Sequence, residues 1–452
     1  MRFVKNRDDL IDHGIHRGRQ IVLNVIEKGL HAVDPYKATL KLIQLNNNDL
    51  IVGNRTVDLK QRGNIYVVGA GKASFRIAKA LEDILGNRIT YGIVIVKYGQ
   101  EGEFKHLVKI EAGHPVPDHC GLQGAYRIFE LAEETRKEDL VFAVITGGSS
   151  ALMPLPANGI SLNDNQIVTE LLLNSGAVIQ EINAVRKHIS KIKGGRLALR
   201  LHPAEIVNLT VSDVIGDWKM LDCITDNTVP DTSTFQDAQR TLKKHDLWNQ
   251  VPSSVRRHLQ RADQRMETPK HLEGLKIHSH ILATNEMACL AAFKEAQASG
   301  LNSMILSTMI EGESVEAGIF HAGIAREIAE HNRPIKSPCV IVSGGETTVT
   351  IKGIHGSGGP NQEFTLGCAT KIHGYSQIVG ASIDTDGTDG PTDVAGGIVD
   401  GNSVERAKTC QSDIFESLRK HDSSNLLATL NDVIYTGATG TNVMNLRVLV
   451  VL

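Results

Sequence analysis

Cysteine, aromatic residues and net charge are all scarce in this sequence of 452 residues. The six cysteines form no CxxC pair, which argues against a disulfide framework or a thiolate zinc site and favours free thiols in a reducing cytoplasm. Aromatic residues make up only 4% of the chain, too few for base-stacking platforms. Lys and Arg number 48 against 51 Asp and Glu, so no basic surface for nucleic acid or anionic membrane is expected.

Long hydrophobic runs are also missing. The N-terminal segment MRFVKNRDDLIDHG has no apolar core of a secretory signal, and no run approaches the roughly 18 residues of a membrane span. We therefore expect a cytoplasmic protein without a membrane partner. Glycine is the one residue in excess, with 42 among 452 residues against a usual share of about 7%.

Short apolar runs alternate with helical patterns along the chain. Runs at 65–68, 91–96 and 140–145 are followed by glycine turns or helices, and an amphipathic helix is predicted over 8–31. Continuous apolar strands between helices indicate an α/β fold with a parallel sheet covered on both faces. Further strands are predicted at 206–211, 280–283, 304–307, 340–343, 378–381 and 434–436.

The first glycine turn, 69–74 (GAGKAS), joins a strand to a helix. A dinucleotide fingerprint fails there, because Ser74 replaces the third glycine and the next strand ends at Lys97 without a ribose-binding acid. A Walker A loop fails as well, since residue 66 is tyrosine. The turn still brings Lys72 and a helix N-terminus to the sheet edge, which suits an anion. A plain turn with a solvated lysine is the alternative.

A second turn, 146–152 (TGGSSAL), repeats this arrangement. Its two glycines allow close backbone approach, and its two serine hydroxyls can donate to a phosphate or carboxylate. The GxSxG pattern of a serine hydrolase is absent. A third turn at 343–346 (SGGE) and the loop 355–363 (HGSGGPNQE) add two more glycine turns from the other half of the chain.

The helix predicted over 177–193 carries an apolar stripe and, away from it, a polar and basic strip. The acidic partners that normally pair with such a strip at i,i+4 are almost missing. One interpretation is a solvated face, and the other is a surface for a phosphorylated or carboxylated ligand. The strip consists of Asn183, Arg186, Lys187, Ser190 and Lys191.

Four aspartates lie within 384–393, directly after a predicted strand, and 212–217 (SDVIGD) is a second acidic strand end. The spacing is not that of an EF-hand, so the carboxylates are either solvated or hold a hard cation, for which Mg²⁺ with a nucleotide is the simplest choice. No HExxH motif or close histidine triad indicates a zinc enzyme. Anion-binding turns, a basic helix and carboxylates together favour phosphoryl transfer.

The polar segment 243–275 contains no predicted strand and is the candidate connection between domains. This predicts an N-terminal domain over 1–242 and a C-terminal domain over 276–452, with 434–452 as a segment that could complete the first domain. No fixed-period repeat is present, which excludes solenoids and propellers.

The motifs taken together resemble the glycerate 2-kinase family, whose C-terminal part is the MOFRL domain. The resemblance covers nearly the whole chain and rests on 69–74 (GAGKAS), 113–118 (GHPVPD), 147–152 (GGSSAL), 183–195 (NAVRKHISKIKGG), 212–217 (SDVIGD), 343–347 (SGGET), 361–363 (NQE), 384–390 (DTDGTDG) and 436–442 (TGATGTN). It implies phosphorylation of D-glycerate to 2-phosphoglycerate with ATP and Mg²⁺. It also implies a Rossmann-like N-terminal domain, a smaller α/β C-terminal domain and an active site in the cleft between them.

The resemblance further implies roles for individual residues. Lys72 would contact glycerate or the transferring phosphoryl group, and Asp213, Asp386 and Asp389 are candidates for holding Mg²⁺ or acting as general base. The catalytic candidates are Lys72, Arg186, Lys191 and Asp213. The binding candidates are Gly71, Gly147, Gly148, Ser149, Ser150, Asn183, Lys187, Gly344, Gly345, Glu346, Asn361 and Glu363, and the metal candidates are Asp386 and Asp389.

The sequence departs from the family pattern at two places. Two alternative functions are also considered. Many relatives carry arginine where this chain has Pro360, and Ser-Gly-Pro where it has Thr225-Asp226-Asn227. The alternative functions are an NAD(P)H-dependent hydroxypyruvate reductase and a non-catalytic sugar-acid binding protein. The expected partners are small molecules, and a homo-oligomer is left open.

Overall fold

The chain folds into two α/β units, each with its own central sheet and its own hydrophobic clusters. A computed structural model describes residues 2–216, 227–351 and 353–452. The first unit, here the parallel-sheet unit, contains residues 35–212 and 227–282. The second, here the mixed-sheet unit, contains residues 2–34, 213–216 and 283–452.

The strands are short, and most of those in the two central sheets are buried along their length. In chain order they are β1 (Ile43–Asn46), β2 (Asp49–Val52), β3 (Arg55–Asp58), β4 (Ile65–Ala70), β5 (Tyr91–Lys97), β6 (Val108–Ala112), β7 (Leu140–Ile145), β8 (Glu205–Val211), β9 (Ile277–Ala283), β10 (Asn302–Ile310), β11 (Cys339–Gly345), β12 (Ile378–Asp384), β13 (Gly396–Asp400), β14 (Val433–Ile434) and β15 (Asn445–Val451).

Several helices begin at a side chain that accepts a hydrogen bond from the first turn, as Asp118, Ser161 and Thr284 do. The helices are α1 (Arg7–Ile11), α2 (His16–Ala32), α3 (Pro35–Leu42), α4 (Ser74–Leu85), α5 (His119–Glu134), α6 (Ser149–Leu152), α7 (Leu162–Leu173), α8 (Ile179–His188), α9 (Arg196–Leu201), α10 (Phe235–Lys244), α11 (Ser253–Arg261), α12 (Asn285–Ala298), α13 (Ser314–His331), α14 (Pro360–Ile372), α15 (Ser403–Thr409), α16 (Ile414–Arg419) and α17 (Ser423–Thr429). Among the residues with described positions, no helix combines the length and apolar character needed to cross a membrane.

The sheet of the parallel-sheet unit has the order β6-β5-β4-β7-β8-β9, and its neighbours from β6 to β8 run parallel. Every residue of β4 and β7 is buried, which explains their continuous apolar sequence. Ala70 pairs with Ile145, so these two strands end level with each other. The predicted α/β class with a parallel sheet is confirmed, and the segments that follow β4 and β7 begin side by side.

The sheet of the mixed-sheet unit has the order β10-β11-β15-β12-β13-β14. Among the described pairings of this sheet, only β10–β11 is parallel, and the others are antiparallel. The apolar stripe of α2, with Val22 and Ile26, packs in one cluster with Val448 and Val450 of β15. This cluster packs the N-terminal helix α2 and the C-terminal strand β15 together in the mixed-sheet unit.

Besides residues 213–216 and 276–282, which also change units, the division into units differs from the predicted domains in three places. Residues 2–34 belong with the C-terminal half, because the stripe of α2 is buried against the mixed sheet. The segment 434–452 does not complete the N-terminal domain, since β15 pairs with β11 and β12. The segment 243–275 is part of the parallel-sheet unit, where Val255 and Leu259 pack in one apolar cluster with Ile182 and Phe235.

Two predicted helices are shorter than expected. The helix predicted over 8–31 is divided into α1 and α2, because the N–H of Ile15 donates to the Asp400 carboxylate, 3.2 Å away, instead of to a helical carbonyl. The helix predicted over 177–193 ends at His188. Beyond it the N–H of Lys191 donates to the Leu155 carbonyl at 2.8 Å, and this pairing draws the chain out of the helix.

Candidate active site

Lys72 and the second glycine turn meet at the carboxyl edge of the parallel sheet. The backbone N–H of Lys72 donates to the Gly147 carbonyl at 2.9 Å, and Thr146 Oγ1 accepts from the N–H of Ala73 at 3.2 Å. Gly71 makes this contact feasible, because an added Cβ would lie 2.1 Å from Thr146 Oγ1. The two turns that the sequence singled out therefore form one structure.

Gly148 lies against both Lys72 and His114. It has a φ of +87°, which favours glycine, and an added Cβ would lie 3.2 Å from His114 Cδ2 and 3.4 Å from Lys72 Cγ. His114 comes two residues after β6, just as Lys72 and Gly147 come two residues after β4 and β7. It was not among the predicted site residues, although its motif, GHPVPD, carried part of the family resemblance.

The turn after β7 is arranged to receive an anion. Within the described residues, the backbone N–H groups of Gly147 and Gly148 donate to no other residue, whereas the N–H of Ser149 donates to the Thr146 carbonyl at 3.1 Å. Ser149 is buried and Ser150 is half-buried. The two glycine N–H groups and the Ser150 hydroxyl are the donors that a bound phosphate or carboxylate would use.

The basic strip of α8 divides into paired and unpaired cations. Lys187 is buried and its Nζ lies 3.0 Å from Asp231 Oδ1, so a carboxylate far along the chain neutralises it, where the sequence showed almost no acidic partner at i,i+4. Arg186 forms no ion pair with any carboxylate that the structure describes, and burial lowers the pKa of its guanidinium. Asn183 is buried, and Lys191 lies outside the helix and half-buried.

Lys193, which sequence reasoning did not select, lies beside this strip. It is 4% exposed, and its Nζ donates to the Met153 carbonyl at 3.0 Å. Burial and the charge of Arg186 lower its pKa from 10.5 to about 7. Its signals in the sequence were its place shortly after the basic strip and within the 183–195 motif of the family resemblance.

The acidic strand end after β8 is only partly described. Asp213 lies two residues beyond β8 and is half-buried. Asp217, the last residue of the same motif, lies outside the described residues, as do Thr225 and Asp226 of the second departure from the family pattern. Asp213 therefore stays a predicted general base or metal ligand.

In the mixed-sheet unit, a fully buried arginine holds the turn after β11. Arg447 donates to the Gly344 carbonyl and to Thr347 Oγ1, each at 3.0 Å, and burial lowers its pKa to about 10. Gly344 and Gly345 are buried within β11, while Glu346 is exposed. Of the three predicted binding residues in this turn, Glu346 alone presents a side chain to solvent.

Asp389 accepts hydrogen bonds from the first turn of α14 and so caps its N-terminus. One carboxylate oxygen accepts from the N–H and Nδ2 of Asn361, and the other from the N–H and Nε2 of Gln362, at 2.9 to 3.0 Å. Asn361 Oδ1 in turn accepts from the Ser382 hydroxyl at 2.5 Å. These contacts use the four lone-pair positions of the carboxylate and the amide of Asn361. Asp389 and Asn361 are therefore hydrogen-bonded to each other within the mixed-sheet unit, and their roles as metal ligand and binding residue stay predictions.

The other acidic candidates of this unit differ in their surroundings. Glu363 is buried, with His421 Nδ1 at 2.8 Å from its Oε1, and burial raises its pKa. Asp386 is half-buried, and its Oδ1 accepts from the N–H and the hydroxyl of Thr388, each at 2.9 Å. In the ranges that the structure describes, no group of three His, Cys, Asp or Glu side chains is arranged to hold a metal ion. Asp386 stays a predicted metal ligand.

Comparison with known proteins places these turns in a family. One family model, described as a domain of unknown function (DUF4147), matches residues 21–260, and the MOFRL family model matches residues 339–445. A glycerate 2-kinase of Pyrococcus horikoshii is 44% identical over 436 residues, which are 96% of this chain and 97% of that protein. The chain belongs to the glycerate 2-kinase family.

Two further comparisons agree with this assignment. A D-glycerate 2-kinase of Thermotoga maritima is 39% identical over 430 residues, 95% of this chain and 97% of that protein. The crystal structure of a glycerate kinase from Thermotoga maritima has a TM-score of 0.81 at 38% identity and covers 95% of this chain and 98% of its own. Pro360, one of the two departures named in the sequence analysis, is the first residue of α14, a position at which proline is favoured.

Replacing Gly148 with alanine is expected to lower kcat/KM by about 10- to 100-fold, because the new methyl group must displace His114 or Lys72. Gly159→Ala is a matched control, since Gly159 has a φ of +83° but no atom within 4 Å of an added Cβ. Steady-state kinetics of both variants separate the two effects. Equal losses in the two variants would assign the effect to backbone strain alone.

Replacing Asp389 with asparagine is expected to lower the free energy of unfolding by about 2 kcal/mol, because an amide NH₂ would face two N–H donors. Asp393, exposed in the same loop, provides the control, for which Asp393→Asn should change stability by less than about 0.5 kcal/mol. Urea unfolding measures both values. A normal stability combined with a weakened response to Mg²⁺ would support Asp389 as a metal ligand.

Proposed function

We propose that this chain is a glycerate 2-kinase, which transfers the γ-phosphoryl group of ATP to the 2-hydroxyl of D-glycerate. The proposal rests on one observation: Lys72, His114 and the Gly147-Gly148 turn lie together at one edge of the parallel sheet. A cation and backbone N–H donors at one point suit a group whose negative charge must be held in place during phosphoryl transfer. The two 2-kinases at 44% and 39% identity support the same reaction.

In this reaction a bond forms between the 2-oxygen of glycerate and the γ-phosphorus, and the bond to the β–γ bridging oxygen breaks to release ADP. The transition state spreads negative charge over the three equatorial oxygens. We assign Lys72 to neutralising that charge and the Gly147-Gly148 N–H groups to holding an anionic group near it. Asp213 is the candidate that accepts the proton of the 2-hydroxyl, and Arg186 is a second source of positive charge.

Magnesium enters the proposal as the ion that accompanies ATP and neutralises part of its phosphate charge. Mg²⁺ usually keeps several waters and takes one or two protein carboxylates. Asp384 and Asp386, both half-buried at the end of β12, are the described carboxylates of the acidic loop that fit such an ion. Asp389 is less suited to it, because its oxygens already accept four hydrogen bonds.

Phosphorus NMR of the product formed from D-glycerate and ATP tests the proposal. A phosphate on C2 couples to one proton and gives a doublet, whereas a phosphate on C3 couples to two protons and gives a triplet. We expect the doublet. A triplet would overturn the position of transfer, and the absence of any phosphomonoester would overturn the kinase.

The same preparation decides between the proposal and its alternatives. Oxidation of NADPH by hydroxypyruvate, without phosphoryl transfer, would replace the kinase by a reductase. Glycerate binding without consumption of ATP would replace it by a sugar-acid binding protein. Ser74 already argues against a nicotinamide site, since its hydroxyl donates to the Val144 carbonyl at 3.0 Å and is buried in the turn.

A cytoplasmic location is also part of the proposal. The described cysteines, including the exposed Cys120 and Cys410, are all free thiols, as expected in a reducing compartment. Fractionation of cells that produce the protein tests this point. Recovery in an oxidising compartment would overturn it.

A further inference from the structure

His114 reaches its place from an edge strand of the parallel sheet. It follows β6, whereas the Gly147-Gly148 turn follows β7, and β5 and β4 lie between these two strands. Neighbouring strands are about 4.8 Å apart, so the ends of β6 and β7 are separated by about 14 Å. The His114 ring nevertheless lies against Gly148, where an added Cβ would come 3.3 Å from its Nε2. The loop after β6 therefore leans across the sheet edge and must be held there.

Asp118 holds this loop at its base. One carboxylate oxygen, Oδ2, accepts from the N–H of Gly113 at 2.9 Å and from the hydroxyl of Tyr98 at 2.7 Å. The other, Oδ1, accepts from the N–H of Gly121 at 2.9 Å and so caps α5. The residue directly before His114 is thus joined through one carboxylate to the end of β5 and to the first turn of α5.

The first turn of α5 is itself packed on the segment that follows β7. An added Cβ at Gly121 would lie 2.6 Å from the carbonyl oxygen of Leu152, so only glycine permits this close approach. Leu152 ends α6, the short helix that begins directly after Gly148. Asp118 therefore connects the His114 loop to the same segment that carries the glycine turn.

We propose that Asp118 is a positioning residue of the proposed kinase, and that it holds His114 where the imidazole contacts the anionic substrate group bound by Lys72 and the Gly147-Gly148 turn. The inference rests on the proposed function for the presence of that group. His114 is half-buried, so part of its ring is open to a ligand. Asp118 does not need to touch the substrate, because displacing a contact by about 1 Å can already lower a rate by about 100-fold.

Asp118→Ser separates the two functions of this carboxylate. Serine is a good N-cap, so its hydroxyl can still accept from the N–H of Gly121, but its single oxygen does not also replace Oδ2 at Gly113 and Tyr98. We expect kcat/KM for D-glycerate with ATP to fall by about 10-fold. Asp413→Ser is the matched control, because it is the same substitution at the exposed N-cap of α16, and it should leave kcat/KM unchanged.

A double-mutant cycle tests whether Asp118 acts through His114. His114→Gln should lower kcat/KM by about 50-fold, and adding Asp118→Ser to it should cause no further loss, because both changes remove the same contact. A residue that only stabilised the fold would add its own loss in either background. If circular dichroism shows that Asp118→Ser does not fold, Tyr98→Phe repeats the cycle. It removes one hydroxyl of an exposed side chain and should lower kcat/KM by about 3-fold in the wild type but not in His114→Gln.

The position of His114 can also be measured without turnover. In protein prepared with isotope-labelled histidine, the NMR signals of the His114 imidazole are those that disappear in His114→Gln. Asp118→Ser should shift or broaden these signals, whereas Asp413→Ser should leave them in place.

Four results would overturn the inference: normal kcat/KM in folded Asp118→Ser, normal kcat/KM in His114→Gln, a full additional loss from Asp118→Ser in the His114→Gln background, or unmoved His114 signals in Asp118→Ser. Failure of the kinase is a separate result. If the wild type transfers no phosphoryl group but Asp118→Ser still moves the His114 signals, Asp118 holds His114 and the proposed function is lost.

Discussion

Lys72→Met is expected to lower kcat by about 100- to 1000-fold, the largest effect on activity of any substitution in this protein. The backbone of Lys72 is fixed by its hydrogen bond to the Gly147 carbonyl at 2.9 Å, so its side chain starts from a defined point at the sheet edge. Its charge is assigned to the transferring group, and methionine keeps the length of the side chain while removing that charge. The loss should appear in kcat more than in KM.

Lys97→Met is the matched control for this substitution. Lys97 ends β5, which pairs with β4, and its side chain is exposed at the same carboxyl edge. Steady-state kinetics of both variants, with circular dichroism to confirm folding, separate one specific contact from the general positive charge of the edge. Near-normal turnover of Lys72→Met, or an equal loss in both variants, would remove Lys72 from the active site.

Arg19→Leu is expected to lower the free energy of unfolding by about 3–5 kcal/mol, the largest effect on stability. Arg19 is completely buried, with Nε 2.6 Å from Asp400 Oδ2 and Nη1 2.8 Å from Asp432 Oδ1. Both carboxylates are also fully buried. Arg406 lies 2.7 Å from Asp432 and 3.9 Å from Asp400, and His13 lies 2.9 Å from Asp432. Removing the guanidinium leaves buried negative charge without its main counter-ion.

Arg2→Leu provides the control, because Arg2 pairs with Asp8 at the surface and should contribute less than about 1 kcal/mol. Urea unfolding at neutral pH compares the two variants. A loss of similar size in both would show that the buried network contributes no more than a surface pair.

The network also predicts a response to acid. Burial by itself would raise the pKa of Asp432, but the charge of Arg19 and the hydrogen bond from His13 hold it below the usual value. A carboxylate with a lowered pKa contributes stability above its unfolded pKa of about 3.9, and this stability is lost as the pH falls through the lower folded value. Arg19→Leu should therefore lose stability at a higher pH than the wild type, which acid titration followed by circular dichroism measures.

Part of the active site was predictable because it depends on local sequence. Apolar runs that end in glycine turns predict parallel strands. The turns that follow parallel strands all lie at the carboxyl edge of the sheet. That is why Lys72 and the Gly147-Gly148 turn, which the sequence singled out separately, lie at the same sheet edge. His114 follows a third strand end by the same rule and was missed only because its loop carries no glycine pair.

The sequence by itself determined the α/β class and the glycine turns that follow β4 and β7, since these follow from residues close together in the chain. Only the tertiary structure decided that Lys187 is neutralised by Asp231, that Asp389 caps α14 and that Arg19 joins Asp400 and Asp432. It also decided that α2 and β15 build the mixed-sheet unit. A charge or an apolar stripe specifies what kind of partner it needs, but the partner lies far along the chain, and packing selects which one it meets.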